Sequence, residues 1–164
     1  MIKLFTKTYE TFAVKNRFLQ KLCELYYKPM VKKEIASAKI QEADKVLFIG
    51  GGPLPMSALL TAHYTSASIT IVDCDQNALN NSKQFLSKYN YPIELINAKG
   101  EYLSTEDYSV IIIAKQVIPK ECVLKNILKQ SRPSTRILYR SNHQILPSYH
   151  KITKKGSLCL IVTS

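Results

Sequence analysis

The sequence predicts an α/β fold, a doubly wound sandwich built on a mostly parallel sheet. Three observations carry that expectation. From Lys45 onward, short β-branched runs alternate with segments of helical apolar period. The first run, Lys45–Ile49 (KVLFI), empties directly into Gly50-Gly51-Gly52. The chain then closes with two extended runs around Lys154-Lys155-Gly156, a hairpin signal where a further strand–helix unit would otherwise stand.

Taken in order, Tyr9 to about Tyr27 reads as a helix, with Phe12, Phe18, Leu19, Leu22 and Leu25 as its apolar residues. Pro29 is expected to break it, because proline has no N–H for the helix ladder. A second helix over residues 30–42 then places Val31, Ile35 and Ala38 on one face. After KVLFI come a helix from Pro55 to about Tyr64, the strand Ser68–Val72, a helix from Asn77 to about Tyr89, and the strand Ile93–Ile96. Tyr108–Ala114 is apolar on both faces, as a central parallel strand must be. Glu121–Gln130 reads as a helix and Arg136–Arg140 as the fifth strand. The final hairpin, His150–Thr153 with Ser157–Thr163, favours the methyltransferase-type Rossmann sheet over the dehydrogenase type.

At 164 residues and 46% hydrophobic, the chain suits one compact unit. We read residues 1–42 as an N-terminal helical cap and 43–164 as the main domain. The longest apolar run, Val110–Ala114, stops at Lys115, well short of the roughly 18–20 residues of a membrane span. With no leader-like apolar segment visible, a cytoplasmic location off the membrane is expected. Cys23, Cys74, Cys122 and Cys159 show neither CxxC pairing nor zinc-ligand spacing, so free, mostly buried thiols and no metal are expected.

The net charge of +11 is uneven: residues 114–164 hold ten basic side chains against one acidic, Glu121. Such a region steers anions, whether nucleic acid or a small carboxylate. Nineteen of the 23 basic residues are lysine and no RNA-binding motif accompanies them, so nucleic acid is not the expected partner.

Gly50-Gly51-Gly52-Pro53-Leu54-Pro55 stands where a Rossmann fold binds its nucleotide. The turn needs glycine for positive φ and for close backbone approach. A dinucleotide fingerprint requires a third helix-packing glycine where Pro55 stands, which disfavours NAD and suits a ligand without pyrophosphate, such as S-adenosylmethionine (SAM). Asp73, at the tip of the second strand beside Cys74, is placed to accept both ribose hydroxyls. Asp75 reads as the next helix N-cap. Arg140, ending the fifth strand, suits a carboxylate held by its fork. Ala114, Lys115 and Gln116 follow the fourth strand, where Lys115 is the first charge after a buried run. His63, His143 and His150 have no evident carboxylate partner and read as structural or exposed.

The segment FIGGGPLPMSALLTAH (Phe48–His63) resembles the signature of nicotianamine synthases, particularly their archaeal and bacterial branch. KKEIASAK (Lys32–Lys39) and STRILYRS (Ser134–Ser141) resemble the same branch in the same order, so the resemblance spans roughly residues 20 to 150. It implies a class I SAM-binding Rossmann domain that transfers the 3-amino-3-carboxypropyl arm of SAM to a small amine and releases methylthioadenosine. Such a product is of the metal-chelating kind. The resemblance also implies Glu34 as the base that deprotonates the acceptor amine, with Tyr27 beside it in the catalytic set and Tyr26 and Tyr27 closing the pocket. The cofactor-binding set expected is Gly50, Gly51, Gly52, Pro53, Asp73, Cys74, Asn97, Ala98 and Ala114. The substrate-binding set is Tyr26, Lys115, Gln116 and Arg140.

The chain departs from the family pattern at Lys99, which stands near where the family has an acidic residue by the adenine, leaving Asn97, Glu101 or backbone groups for that task. Its N-terminal helical part is also shorter, so a homodimer could complete the pocket. Two further readings stay open: a small-molecule methyltransferase, although only Gln116 follows the fourth strand as an amide, and a noncatalytic SAM- or RNA-binding module.

Overall fold

The computed structural model describes Val14 and residues 16–140, 151–155 and 158–163. The elements are α1 (Arg17–Ala38), β1 (Lys45–Ile49), α2 (Met56–Thr65), β2 (Ser68–Asp73), α3 (Gln76–Leu86), β3 (Ile93–Asn97), a 3-10 turn (Gly100–Tyr102), β4 (Val110–Ile113), α4 (Lys120–Gln130), β5 (Arg136–Arg140), β6 (Lys151–Lys155) and β7 (Leu158–Val162). One seven-stranded sheet runs β3-β2-β1-β4-β5-β7-β6. The first five strands pair parallel, while β7 pairs antiparallel to both β5 and β6. The doubly wound sandwich and its closing hairpin are therefore as the sequence predicts.

Alternation within each strand sorts the core into two layers. Val46, Phe48, Ile69, Ile71, Val110, Ile112 and Leu138 face Ala38, Ala58 and Ala62 of α1 and α2. Leu47, Ile49, Ile111, Ile113, Ile137 and Tyr139 face Val123, Leu124 and Ile127 of α4. Every residue of β4 is buried, as a strand covered by helices on both faces requires. Each fully buried isoleucine there contributes about 1.5–3 kcal/mol by leaving water.

The N-terminal part differs from the expectation. Residues 17–38 form one 22-residue helix with Pro29 inside it, rather than two helices parted at Pro29. The buried stripe keeps Leu19, Val31 and Ile35 of the expected apolar residues but adds Cys23 and Tyr27, and these five, spaced four apart, pack with Leu54, Leu59 and Phe85. Phe18, Leu22, Leu25 and Tyr26 lie on the exposed side. Pro29 is exposed as well, and the packed stripe on the opposite side keeps the helix continuous through it. Asn16 caps the N-terminus by accepting from Phe18 and Leu19 N–H.

At the other end, Lys39 adopts the left-handed conformation and α1 stops. Arg136, opening β5, donates to the last carbonyls, Ala38 (2.7 Å) and Lys39 (3.1 Å), and pairs with Asp44. Burial pushes the Asp44 carboxyl up, but bonds from the Ser109 hydroxyl, Arg136 and the Gln41 N–H outweigh it and hold the group below its ordinary range. Cys74 and Cys122 are exposed, Cys23 is half-buried and only Cys159 is buried. None of the four is in a disulfide, and, against the sequence expectation, they are not mostly buried.

Candidate functional site

Parallel strands leave a crevice beyond their C-terminal ends where the strand order reverses, here between β1 and β4. A cavity of about 570 Å³ opens there. Its floor is the glycine turn. Gly50 at φ +84° and Gly52 at φ +67° take conformations that side chains resist. A Cβ on Gly50 would lie 2.6 Å from Val117 Cγ2, inside the opposite wall. Gly51 serves packing instead, since a Cβ there would strike Ile71 Cγ2 at 2.2 Å.

Asp73 locks this turn to the tip of β2. Its Oδ2 accepts Gly52 N–H at 2.8 Å and its Oδ1 accepts Asp75 N–H at 3.0 Å. Ser82 of α3 donates to the Gly52 carbonyl at 2.5 Å, and Asn97 Nδ2 donates to the Asp73 carbonyl at 3.1 Å. Asp75 caps α3 through Asn77 and Ala78 N–H, as the sequence predicts, and it also faces the cavity. The result is a carboxylate fixed by backbone donors at the edge of an apolar slot, suited to a ribose. The slot's helix end, with Pro55 at the N-cap of α2, offers one N–H fewer to a pyrophosphate.

Of the residues singled out from sequence, Gly50, Gly52, Pro53, Asp73, Cys74, Ala98 and Gln116 line the cavity, as do Lys99 and Glu101. Gly51 and Asn97 stand behind it as supports, and Ala114 and Lys115 are outside its lining. Tyr26 is 75% exposed, with its ring edge-on to Tyr27 at 5.3 Å, while Tyr27 packs into the layer under α1. His63 bonds to the Tyr91 hydroxyl at 2.7 Å, a structural contact. His143 and His150 lie outside the described residues.

Glu34 and Arg140 are also outside the cavity lining and are paired with each other. Arg140 Nε donates to Glu34 Oε1 at 2.6 Å and Nη2 to Oε2 at 2.7 Å. The Glu34 side chain is 1% exposed and that of Arg140 15%. Lys120 Nζ bonds to the Arg140 carbonyl and, at 3.2 Å, to the Lys115 carbonyl, with its charge 4.8 Å over the Tyr139 ring. It thereby ties the end of β5 to the loop that walls the cavity.

Sequence reasoning missed that wall. Val117, Ile118, Pro119 and Val123 line it, on the loop after β4 and the start of α4. Ile118 is 69% exposed there, which only the folded chain reveals. Among the described residues, no three His, Cys, Asp or Glu side chains converge as metal ligands, and no helix is long and apolar enough to cross a membrane.

A family model described as nicotianamine synthase protein matches residues 12–154. The chain belongs to the nicotianamine synthase family. It is similar to the L-histidine 2-aminobutanoyltransferase of Pseudomonas aeruginosa (strain UCBPP-PA14), 28% identical over 128 residues, covering 76% of this chain and 47% of that one. It thus spans about half the length of the curated relatives it matches. Among solved structures it superposes on a glutamate-to-glutamine variant of MtNAS in complex with S-adenosylmethionine, with TM-score 0.77 and 17% identity over 96% of this chain and 72% of that one. An RNA methyltransferase from Salinibacter ruber, in complex with S-adenosyl-L-homocysteine, gives TM-score 0.67 and 12% identity over 83% and 90%. At these identities the superpositions establish the fold, a class I methyltransferase-type Rossmann sandwich, which family members share with methyl-transferring enzymes.

Proposed function

We propose that the chain is a SAM-dependent transferase that moves the 3-amino-3-carboxypropyl group of SAM to a small amine and releases methylthioadenosine. The reading rests on the family match across residues 12–154. The Asp73-locked glycine turn supports it by offering a nucleoside site without pyrophosphate features.

SAM is the group donor. The acceptor amine attacks the arm carbon next to sulfur, that C–S bond breaks, and its electron pair stays on sulfur as a neutral thioether. Transfer to this carbon rather than the methyl depends on which one the amine is held against. The amine proton goes to Glu34 in this reading. Its carboxylate is 1% exposed and outside the cavity lining, so the step requires the Arg140 contact to open toward the acceptor. Asp73 binds the ribose, Gly50 and Gly52 admit the nucleoside backbone-close, and Ala98 and Cys74 border the base. The product is a small amine of the metal-chelating kind. Two exposed thiols, Cys74 and Cys122, suit a reducing cytoplasm.

A homodimer is part of this proposal. The exposed stripe of Phe18, Leu22, Leu25 and Tyr26 on α1 supplies an apolar contact surface. A monomer by light scattering with full activity rules the dimer out.

The deciding experiment incubates the protein with SAM and a panel of amino acids and amines, and identifies the nucleoside left by mass spectrometry. Methylthioadenosine formed only with an acceptor, and lost in Glu34→Gln, supports the reading. S-adenosylhomocysteine makes the chain a methyltransferase. SAM binding with neither product, or RNA affinity falling steeply with salt, makes it a binding module.

A further inference from the structure

The two sides of the cavity are held by different means. On one side the glycine turn is locked by Asp73 and Ser82, which hold the N–H and the carbonyl of Gly52. Facing it, the segment Gln116–Pro119 supplies the other side. Val117 comes so near the turn that a Cβ on Gly50 would meet its Cγ2 at 2.6 Å. Where this segment stands therefore decides how wide the slot is.

The segment's own backbone holds it weakly. Val117 N–H reaches the Ala114 carbonyl at 3.4 Å, longer than the roughly 2.7–3.2 Å of a good N–H···O bond. Pro119 has no N–H to give. The inner end is fixed by β1, since Ala114 N–H donates to the Ile49 carbonyl at 3.0 Å. The outer end is fixed by a side chain. Lys120, the first residue of α4, sends its ammonium back across the segment to the Lys115 carbonyl at 3.2 Å and on to the Arg140 carbonyl at the end of β5. The same charge lies 4.8 Å over the Tyr139 ring. An ammonium has three donors, so one side chain can bridge two carbonyls on different elements and still face an aromatic ring.

We propose that Lys120 is a positioning residue for the donor: it staples residues 115–120 to the end of β5 and so sets the width of the slot that SAM enters. This rests on the donor-site part of the proposed function and not on which carbon of SAM is transferred. Lys120 is itself outside the cavity lining, so it acts only through the wall that it holds.

Calorimetry of SAM binding compares the unaltered protein with Lys120→Met, Lys120→Arg, Val117→Ala and the Lys120→Met/Val117→Ala double variant. Circular dichroism checks that each folds. Methionine nearly keeps the length of the side chain but donates nothing. Lys120→Met is expected to bind SAM about tenfold more weakly, in line with the loss of bonds from a charged donor. Lys120→Arg, whose guanidinium can bridge the same carbonyls, is expected to recover most of that loss. Val117→Ala, which trims the wall directly, should also weaken SAM several-fold. Because the staple acts through the wall, the two single losses should not multiply in the double variant.

SAM affinity within about twofold of the parent in either Lys120→Met or Val117→Ala overturns the proposal. So do single losses that multiply in full, which would place the effect of Lys120 elsewhere, and a loss that arginine leaves uncorrected. If Lys120→Met does not fold, Lys120→Gln takes its place under the same limits. SAM binding that depends on Lys120, without any methylthioadenosine in the product assay, refutes the transfer reading and leaves the staple standing. No SAM binding by the unaltered protein overturns both.

Discussion

Asp73 holds Gly52 in place: one carboxylate oxygen accepts the glycine N–H at 2.8 Å across a gap of 21 residues. The same group is the ribose contact in the proposed site. Asp73→Asn removes the charge while keeping the shape. It is expected to weaken SAM binding about 10- to 100-fold, the value of one to two charge-assisted hydrogen bonds, with the fold intact by circular dichroism. SAM affinity within twofold of the parent would take Asp73 out of the site.

Gly51 makes a separable prediction, because its constraint is packing. An added Cβ would sit 2.2 Å from Ile71 Cγ2 on the neighbouring strand. Gly51→Ala is expected to lower unfolding stability in urea by about 1–3 kcal/mol, the usual cost of an overpacked core. A neutral result would mean that the turn can shift away from β2.

The Asp44 cluster sets an acid limit. Because its folded carboxyl lies below the ordinary value of 3.8, the ionised form stabilises the fold above that value. The contribution is lost as pH falls from about 3.8 through the lowered folded value. Asp44→Asn is expected to cost about 1.5–3 kcal/mol at pH 7, in keeping with hydrogen bonds to a charged group. The gap between parent and variant should narrow below pH 3.8. A gap that stays constant down to acid would assign the loss to shape rather than charge.

Cys74 offers an internal reporter. It is exposed and borders the cavity, whereas Cys122 is exposed on α4 away from it and Cys159 is buried. Iodoacetamide labelling followed by peptide mass spectrometry should show Cys74 protected several-fold by saturating SAM, with the Cys122 rate unchanged. Equal labelling of Cys74 with and without SAM would place the nucleoside elsewhere.

The sheet was legible because its strands are written locally. VIII in β4 and the KVLFI run before three glycines admit few alternatives, and the hairpin announced the antiparallel edge. Pro29 misled because proline was weighed alone. The continuous stripe of Leu19, Cys23, Tyr27, Val31 and Ile35 crosses it and carries enough packing to keep one helix. Phe18, Leu22 and Leu25, larger and more apolar than Cys23, drew attention to the wrong face. At the site, the turn and Asp73 were visible from their positions after β1 and β2. The engagement of Glu34 with Arg140 was not, since 106 residues separate them and no periodicity links them. The Val117–Val123 wall was hidden for a plainer reason: a loop's course after a strand is not encoded in strand spacing.

Arg136 and Arg140 fasten α1 to β5 at two heights, so the C-terminal half of that helix has no independent motion to offer. Opening it means breaking bonds to both arginines at once. Amides around residues 34–38 should therefore exchange with deuterium on the timescale of the central sheet. Those around residues 18–26, beyond the upper fastening and with one side in water, should exchange orders of magnitude sooner. The first helix is thus fastened twice over, to the sheet by the two arginines from Glu34 downward and to its neighbouring helices by one packed stripe above it.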